Sequence, residues 1–277
     1  MNGVKRDTSE VREKTVVIKY GGRAMVNKDL MAAVAEDIVA LRSAGVSVIL
    51  VHGGSSDIEK LLSALNIETK FINGLRYTNE QTMDIVQMVL CGKVNKNICA
   101  LIQSKGGTAI GLCGIDGALL TARRETKTDL GFVGNVEDVN MALLNSLTES
   151  GVLPVISPVA LGLGKDAGKA LNVNADSAAA AIAAKLKARE LILMTDINGI
   201  MRDVNNPASL ISEIKADKLQ ALKAEKLISS GMIPKIDGCI TAINSGVKNI
   251  RVIDGRIPHI LQKELCEGLR TGTLISA

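Results

Sequence analysis

Residues 16–25 read VVIKYGGRAM. The run begins with β-branched residues, which favour strands, and it ends in Lys19, Tyr20 and the adjacent glycines Gly21 and Gly22. A strand that ends in Gly-Gly ahead of a helical segment leaves backbone N–H groups uncovered, and a nearby ammonium makes such a turn attractive to an anion. The alternative is a tight structural turn with a surface lysine, and this stretch by itself does not separate the two.

Outward from this stretch, strand-like and helical segments alternate along the chain. Apolar strand-like runs lie at 15–20, 46–54, 108–116, 152–161, 190–199 and 248–255. Segments with helical period lie at 28–43, 80–103, 175–187 and 216–229. This alternation predicts an α/β protein with a mostly parallel sheet covered on both faces. Two shorter runs, ALLTARRE (118–125) and GFVGNVEDV (131–139), are predicted as hairpins near an edge.

Composition indicates a globular protein. Of its 277 residues 47% are hydrophobic, which is enough for one large α/β unit or two linked lobes. The 33 basic and 29 acidic residues are dispersed, so no basic tract argues for nucleic acid. With two tyrosines, two phenylalanines and no tryptophan, the chain also lacks the aromatic platforms on which single strands stack.

Cysteine usage and the N-terminal sequence bear on the compartment. The five cysteines are an odd number without C-x-x-C spacing, which predicts reduced core thiols and neither a disulfide framework nor a zinc site. The start MNGVKRDTSE has no apolar signal core, and no apolar run reaches the roughly 20 residues of a membrane span. We therefore expect a cytoplasmic protein.

A second glycine pair follows the second predicted strand, in VHGGSSDIEK (51–60). In a parallel sheet, Gly53-Gly54 and the first glycine pair would face the same carboxyl edge, where α/β proteins bind ligands, so together they favour a phosphate site. His52 is a candidate catalytic base, or it makes only a local hydrogen bond. Familiar phosphate loops are absent, since LGKDAGKA (163–170) lacks residues that the P-loop and dinucleotide motifs require.

Other charged residues stand at predicted turns. Arg76, in NGLRYTNE (73–80), is a candidate for bidentate carboxylate binding. Asp176 begins an alanine-rich helix, where it could simply cap the N-terminus. Thr195 and Asp196 end another strand, and Lys235 follows a proline at a predicted helix start, an unfavourable place for a cation unless it serves an anion.

Taken in order, the segments KYGG, VHGG, NGLRYT, NVNAD, MTDINGI and SGMIPK resemble the amino acid kinase family, over nearly the whole chain from Lys19 to the terminal GTLI. They are most similar to members that use ATP to phosphorylate the γ-carboxylate of N-acetyl-L-glutamate in arginine biosynthesis. The resemblance implies a three-layer α/β/α sandwich whose mainly parallel sheet has about eight strands. It also implies an N-terminal lobe (1–175) for acetylglutamate and dimerisation, and a C-terminal lobe (176–277) for ATP.

The resemblance implies roles at the matching positions. Lys19 and Lys235 would contact the migrating phosphoryl group, and Asp176 would hold both lysines, which replaces its interpretation as a cap. Arg76 and Asn172 would bind the acceptor α-carboxylate. The positions assigned to phosphate or ATP are Gly21, Gly22, Gly53, Gly54, Thr195 and Asp196, of which Gly54 would also contact the acceptor. Mg²⁺ would arrive on ATP, without protein ligands of its own. Ser55 stands where the family often has a third glycine.

Two alternatives stay open. One is a related kinase acting on N-acetylaminoadipate, aspartate or glutamate, because one methylene of substrate changes binding by only about 1–3 kcal/mol. The other is a noncatalytic sensor of arginine or a nucleotide, which retention of both lysines and Asp176 disfavours. Arginine-inhibited hexamers of the family interlink through a long N-terminal helix. Only 14 residues precede the first strand here, so we expect a homodimer. The short segment disfavours arginine inhibition, which the acidic stretch KELCEG (263–268) leaves open.

Overall fold

The computed structural model describes residues 14–203, 206–225, 227 and 233–277. The strands are β1 Thr15–Tyr20, β2 Ser47–His52, β3 Phe71–Ile72, β4 Leu75–Arg76, β5 Ala109–Cys113, β6 Leu120–Arg124, β7 Val133–Val139, β8 Leu153–Ser157, β9 Val159–Gly162, β10 Ala170–Val173, β11 Glu190–Thr195, β12 Glu213–Lys215, β13 Asn249–Asp254 and β14 Thr273–Ser276. The α-helices are α1 Lys28–Ser43, α2 Ser55–Ala64, α3 Glu80–Gln87, α4 Asn95–Ser104, α5 Met141–Glu149, α6 Ala175–Leu186, α7 Ala216–Ala224, α8 Ile233–Asn244 and α9 Ile260–Leu265.

In the described part of the chain, the central sheet has eight strands in the order β12-β14-β13-β11-β1-β2-β8-β5. The strands from β13 to β5 run parallel, β14 runs antiparallel to β13, and β12 runs parallel to β14. Helices cover both faces. The predicted α/β/α sandwich with a mainly parallel sheet is confirmed, because β-branched runs separated by helices need crossovers that pack on the sheet.

Strand β1 lies inside the sheet, and its side chains alternate between two apolar cores. Val17 packs on one face with Ala178, Ala179 and Ile182 of α6. Val16 and Ile18 pack on the other face, which α1, α4 and α9 cover. Since successive side chains of a strand point to opposite faces, Lys19 lies on the α6 side, like Val17. This placement carries the Lys19 ammonium towards the start of α6.

The two predicted hairpin runs do pair with each other, since β6 is antiparallel to β7. Their predicted position near a sheet edge is wrong. Within the described residues, these strands join β9 and β10 in a closed four-stranded barrel separate from the central sheet. The barrel exists because the run at 152–161 is broken by Pro158 into β8, which stays in the sheet, and β9, which leaves it. The break suits a proline, which has no N–H to donate to a sheet.

The helical run after β4 is long and contains a π-helical segment, Met88–Val94, between α3 and α4. Among the described residues, Glu80–Ser104 is the one helical run that is long and apolar enough to cross a membrane, judged over a window of 18 residues. Half of that window is buried inside the protein, and Val86, Leu90 and Ile98 belong to the core beside the sheet. We interpret the run as a core helix.

Two expectations involve residues that the structure does not describe. The segment ahead of β1 on which the hexamer argument rests, residues 1–13, lies outside the described residues. The predicted helix at 216–229 is described as α7 up to Ala224, and residues 226 and 228–232 lie outside the description. All five cysteines are free in the structure, and three of them are buried; Cys266 is exposed, so the prediction of a core thiol is wrong for that residue.

Candidate active site

The glycine turns that follow β1 and β2 lie side by side at the carboxyl edge of the sheet. The two strands pair in register up to Tyr20 and His52, and the N–H of Gly53 donates to the carbonyl of Tyr20 at 2.8 Å. The end of β11 is the next neighbour, because β1 also pairs with β11. Topology therefore brings both predicted glycine pairs and the Thr195-Asp196 turn to one edge.

The ammonium of Lys19 and the carboxylate of Asp176 form an ion pair, with Nζ 3.1 Å from Oδ1. Asp176 lies in the first turn of α6, whose N-cap is Asn174: the Asn174 side chain accepts from the N–H groups of Asp176 and Ser177. Asp176 is therefore not the cap. Its Oδ1 is buried and, within the described residues, has no hydrogen bond of good alignment, so its interaction with Lys19 is electrostatic.

Lys235 lies in the first turn of α8, as predicted, and it shares the environment of this ion pair. Burial lowers the pKa of Lys235 below its usual range, the Asp176 carboxylate acts to raise it, and the Lys19 ammonium acts to lower it. The structure thus brings Lys19, Asp176 and Lys235 together as two cations around one carboxylate. Such a group favours the binding of an anion between the lysines.

The first glycine pair packs directly against charged groups. A Cβ on Gly21 would lie 2.6 Å from the Lys19 Nζ, so the ammonium lies over this residue. Gly22 has φ of +70°, and a Cβ there would collide with the Asp196 carboxylate. Glycine at 21 makes room for the Lys19 ammonium, and glycine at 22 allows both the left-handed backbone and the approach of Asp196.

In the second pair, the two glycines differ. The expectation that Gly53 offers its N–H to a phosphate is wrong in this structure, because that N–H donates to Tyr20. Gly54 is the N-cap residue of α2, with φ of +154° and no side-chain cap, and a Cβ there would lie 2.6 Å from Leu90 Cδ2. Within the described chain, the Gly54 N–H has no partner. This N–H and the uncapped start of α2 are therefore suited to accept an anion, and the phosphate contact remains a prediction.

Arg76 is 7% exposed at the end of β4, and its guanidinium lies beside the start of α2. Its Nη2 donates to Ser55 Oγ at 2.8 Å and to Glu59 Oε1 at 3.0 Å. The guanidinium also stacks 4.6 Å from the centre of the Phe71 ring. Ser55, which accepts a hydrogen bond from this buried arginine, directly follows Gly54. The guanidinium is therefore suited to bind a carboxylate next to the Gly53-Gly54 turn.

Asn172 reaches the same region from the barrel. Its Nδ2 donates to Thr78 Oγ1 at 3.1 Å, and Thr78 Oγ1 donates to the carbonyl of Arg76 at 2.9 Å. The two residues expected to bind the acceptor carboxylate, which are distant in sequence, are thus connected through one buried threonine. The connection joins β10 to β4, and an acceptor contact remains a prediction for both residues.

Thr195 is 4% exposed, and its contacts are internal: Oγ1 accepts from the N–H of Ile197 at 3.3 Å and lies 3.2 Å from the Ile197 carbonyl. These bonds shape the turn after β11 and leave the hydroxyl engaged. The Asp196 carboxylate lies close enough to Lys235 and Arg256 to interact with both charges. For Lys235 it only opposes the lowering of the pKa by burial, and for Arg256 it adds to the rise in pKa that Asp254 causes, so Asp196 belongs to the charged edge. An ATP contact remains a prediction for both residues.

Sequence reasoning missed a role for Ser55, which it treated only as a bulkier replacement for glycine. Ser55 Oγ accepts from Arg76 and donates to Glu59 Oε1 at 3.2 Å. Ser55 and Glu59, both on α2, therefore fix the position of the guanidinium jointly. A signal was present: positions i and i+4 share one face of a helix. Only the tertiary structure shows that this face meets Arg76.

Residues 14–254 match the Amino acid kinase family. The match covers most of the chain and agrees with the fold and the lysine-lined glycine edge, so the chain belongs to the amino acid kinase family.

Among its members, the chain is similar to an acetylglutamate kinase from Clostridium kluyveri, with 49% identity over 95% of this chain and 93% of that protein. It is 48% identical to an acetylglutamate kinase from Clostridium beijerinckii, over 95% of this chain and 92% of the relative. In three dimensions it is similar to an N-acetylglutamate synthase from Neisseria gonorrhoeae solved with coenzyme A and N-acetyl-glutamate. That comparison has a TM-score of 0.82 and 25% identity, over 98% of this chain and 61% of the other.

Proposed function

We propose that this protein transfers the γ-phosphoryl group of ATP to the γ-carboxylate of N-acetyl-L-glutamate, giving N-acetylglutamyl 5-phosphate for arginine biosynthesis. The observation that carries the proposal is the pair of lysines around Asp176, beside the glycine turns and the buried Arg76. The acetylglutamate kinase relatives, 48–49% identical over nearly the whole chain, support the choice of substrate.

The acceptor would bind through its α-carboxylate to Arg76 and Asn172. Arg76 offers a planar fork of N–H donors, and the Asn172 amide is linked through Thr78 to the backbone carbonyl of Arg76. The γ-carboxylate of such an acceptor would then extend towards Gly54, since Ser55 contacts the Arg76 guanidinium. This orientation puts the reacting oxygen near the lysines, which is the positioning that transfer requires.

The chemistry asks for charge neutralisation more than for a base. A γ-carboxylate is already ionised at neutral pH, so no proton has to be removed. One of its oxygens bonds to the γ-phosphorus while the bond from that phosphorus to the β–γ bridging oxygen breaks, and ADP departs. Lys19, Lys235 and the Gly54 N–H would stabilise the charge spread over the phosphoryl oxygens, and Asp176 would keep both ammonium groups in place.

ATP would bind on the C-terminal side, with Gly21, Gly22, Thr195 and Asp196 near its phosphates. Within the described residues, no group of three or more His, Cys, Asp or Glu is arranged to hold a metal ion. We therefore propose that Mg²⁺ enters bound to the ATP phosphates, where it supplies further positive charge. The residues present fit that mode of entry, because Lys19 and Lys235 at the carboxyl edge of the sheet would neutralise the phosphate charge that Mg²⁺ leaves uncompensated.

The lobes and the assembly are part of the same proposal. We assign residues 1–175 to acetylglutamate binding and dimerisation and residues 176–277 to ATP binding, in a cytoplasmic homodimer. Support for an interface comes from β5, the last strand at its end of the described sheet, where Ile110 is 37% exposed, and from Met88, which is 58% exposed and begins the π-helical segment that contacts β5. A six-subunit mass by light scattering would overturn the dimer.

Hydroxylamine trapping tests the activity directly. Purified protein is incubated with MgATP, N-acetyl-L-glutamate and hydroxylamine, because only an acyl phosphate yields a hydroxamate. N-acetylaminoadipate, aspartate and glutamate are run in parallel. We expect hydroxamate with acetylglutamate and little with free glutamate, whose α-ammonium would face a site shaped for a neutral amide. Hydroxamate from another acceptor at higher kcat/KM would reassign the substrate, and none from any acceptor would favour a sensor.

A further inference from the structure

His52 ends β2 directly ahead of the Gly53-Gly54 turn, and its side chain is fully buried. Its Nδ1 lies 2.7 Å from the carbonyl oxygen of Gly53, and its Nε2 lies 3.1 Å from Nδ2 of Asn95. Asn95 begins α4 and is also fully buried. The imidazole thus lies between the turn and a helix behind the sheet.

These contacts fix the tautomer of the imidazole. A carbonyl only accepts, so Nδ1 must carry the proton that it donates to Gly53. The Asn95 group facing Nε2 is its amide nitrogen, because that atom also lies 2.9 Å from the Val155 carbonyl and 3.3 Å from the Leu112 carbonyl. Nε2 is therefore the acceptor, and its lone pair is occupied. Buried and fully bonded, His52 is not available as the catalytic base considered from the sequence.

The bond to Gly53 acts on the group that the transfer needs. The carbonyl of Gly53 and the N–H of Gly54 belong to one peptide unit, which is trans, so they point in opposite directions. Holding the carbonyl inward against His52 aims the Gly54 N–H outward. If this peptide rotated, a carbonyl oxygen would face the phosphate instead and repel it. Glycine on both sides makes such rotation easy, so an external restraint matters.

We propose that His52, itself held by Asn95, is a positioning residue that sets the Gly53–Gly54 peptide so that the Gly54 N–H faces the transferred phosphoryl group. This inference rests on the proposed function. It predicts that a hydrogen-bond donor at the position of Nδ1 is required for normal kcat. The group at the position of Nε2 affects kcat only indirectly, because its bond to Asn95 orients the ring.

Two substitutions separate these positions. The amide nitrogen of asparagine can replace Nδ1, and that of glutamine can replace Nε2. We expect His52→Asn to keep kcat within about threefold of wild type, and His52→Gln to lower kcat by about 10- to 100-fold, since a misdirected donor loses part of the 10²–10³ that one oxyanion donor supplies. KM for acetylglutamate should change little in either. Leu144→Ala, a fully buried site on α5, controls for loss of stability alone.

Equal kcat in the two His52 variants, at matched melting temperatures, would overturn the inference while leaving the proposed function intact. Absence of hydroxamate from wild type would instead refute the function. If a variant does not fold, NMR of the wild type decides: ¹⁵N-histidine shifts should show Nδ1–H, Nε2-unprotonated His52 at neutral pH. The Gly54 amide should also shift when a nonhydrolysable ATP analogue is added. The opposite tautomer, or an unchanged Gly54 amide, would sink the inference.

Discussion

Lys19 at the end of β1 and Asp176 in the first turn of α6 form an ion pair of 3.1 Å, although they are far apart in sequence. The pair forms because β1 and α6 pack on each other through Val17 and the alanines of α6. The Asp176 carboxylate also acts on Lys235, whose pKa burial lowers and Asp176 partly restores. One carboxylate thus pairs with Lys19 and opposes the effect of burial on the pKa of Lys235.

Replacing Asp176 should change the pH dependence of turnover. Lys235 is useful only when protonated, so activity is lost as pH rises through its pKa. Asp176→Asn removes the influence that raises this pKa, so the alkaline fall of kcat should move to lower pH, together with a lower maximal kcat. A profile of kcat from pH 6 to 10 measures this. Asp138→Asn, which affects an exposed pair with Lys185, should leave the profile unchanged.

Removing either lysine should affect chemistry more than binding. Lys19→Ala and Lys235→Ala should each lower kcat by an amount worth roughly 2–4 kcal/mol of transition-state stabilisation, with a much smaller rise in the KM for ATP. Steady-state kinetics with the hydroxamate assay measures both. Lys60→Ala, at an exposed position of α2, serves as the matched control. Near-normal turnover in either site variant would remove that lysine from the catalytic assignment.

The two glycine turns should differ in their tolerance of a methyl group. In Gly21→Ala the new Cβ would lie 2.6 Å from Lys19 Nζ, so the flexible ammonium must move; we expect kcat to fall by roughly tenfold or more while the melting temperature changes little. In Gly53→Ala the nearest atom is 3.8 Å away, so kcat should stay within about threefold. If Gly53→Ala were the more damaging of the two for kcat, the placement of Lys19 over Gly21 would be incorrect.

Acceptor affinity should depend on Arg76 and on Ser55, which holds it. Arg76→Lys keeps the charge and loses the fork, so acetylglutamate binding should weaken by roughly 1.5–3 kcal/mol, about 10- to 150-fold. Ser55→Ala removes one hydrogen bond to the guanidinium and should cost about 0.5–1.5 kcal/mol, roughly 2- to 12-fold. Isothermal titration with acetylglutamate and with a nonhydrolysable ATP analogue measures both.

Ser56→Ala is the control for the serine substitution, because among the hydrogen bonds of the described residues those of the Arg76 guanidinium on α2 go to Ser55 and Glu59 and not to Ser56. Binding of the ATP analogue should barely change in any of the three variants. A loss confined to the nucleotide would take Arg76 out of the acceptor site and reopen the choice among acidic substrates.

His52 should make stability fall on acidification. Burial lowers the pKa of His52 to about 4, so between its usual value near 6.5 and about 4 the unfolded chain takes up a proton that the folded protein does not. The free energy of unfolding should therefore decrease by up to about 3 kcal/mol as pH falls through this window. Denaturant titrations at several pH values measure it. In His52→Asn this contribution should vanish; an identical pH dependence in the two proteins would show that His52 is not buried neutral.

Much of the fold was determined by local sequence. β-branched runs separated by periodic helices specify parallel strands and crossovers, and Asn27, Asn79 and Asn174 mark helix starts, because their side chains accept the free N–H groups there. The paired glycines were recognisable from the local sequence as turns at strand ends, although which of their N–H groups stay free was not. The family motifs added which lysines and which arginine to consider.

Tertiary structure decided the features that depend on partners distant in the chain. The barrel required β9 to leave the sheet and close on β6 and β10, a pairing that no local period indicates. Gly53 lost its expected phosphate contact because its N–H is taken by Tyr20 of the neighbouring strand, and Ser55 gained a role because α2 turns that face towards Arg76. His52 was a candidate base in the sequence. In the structure it is buried, and the Asn95 amide donates to the lone pair of its Nε2. A sequence specifies which groups a residue carries, whereas hydrogen-bond partners and desolvation, which set what those groups can do, exist only once the chain has packed.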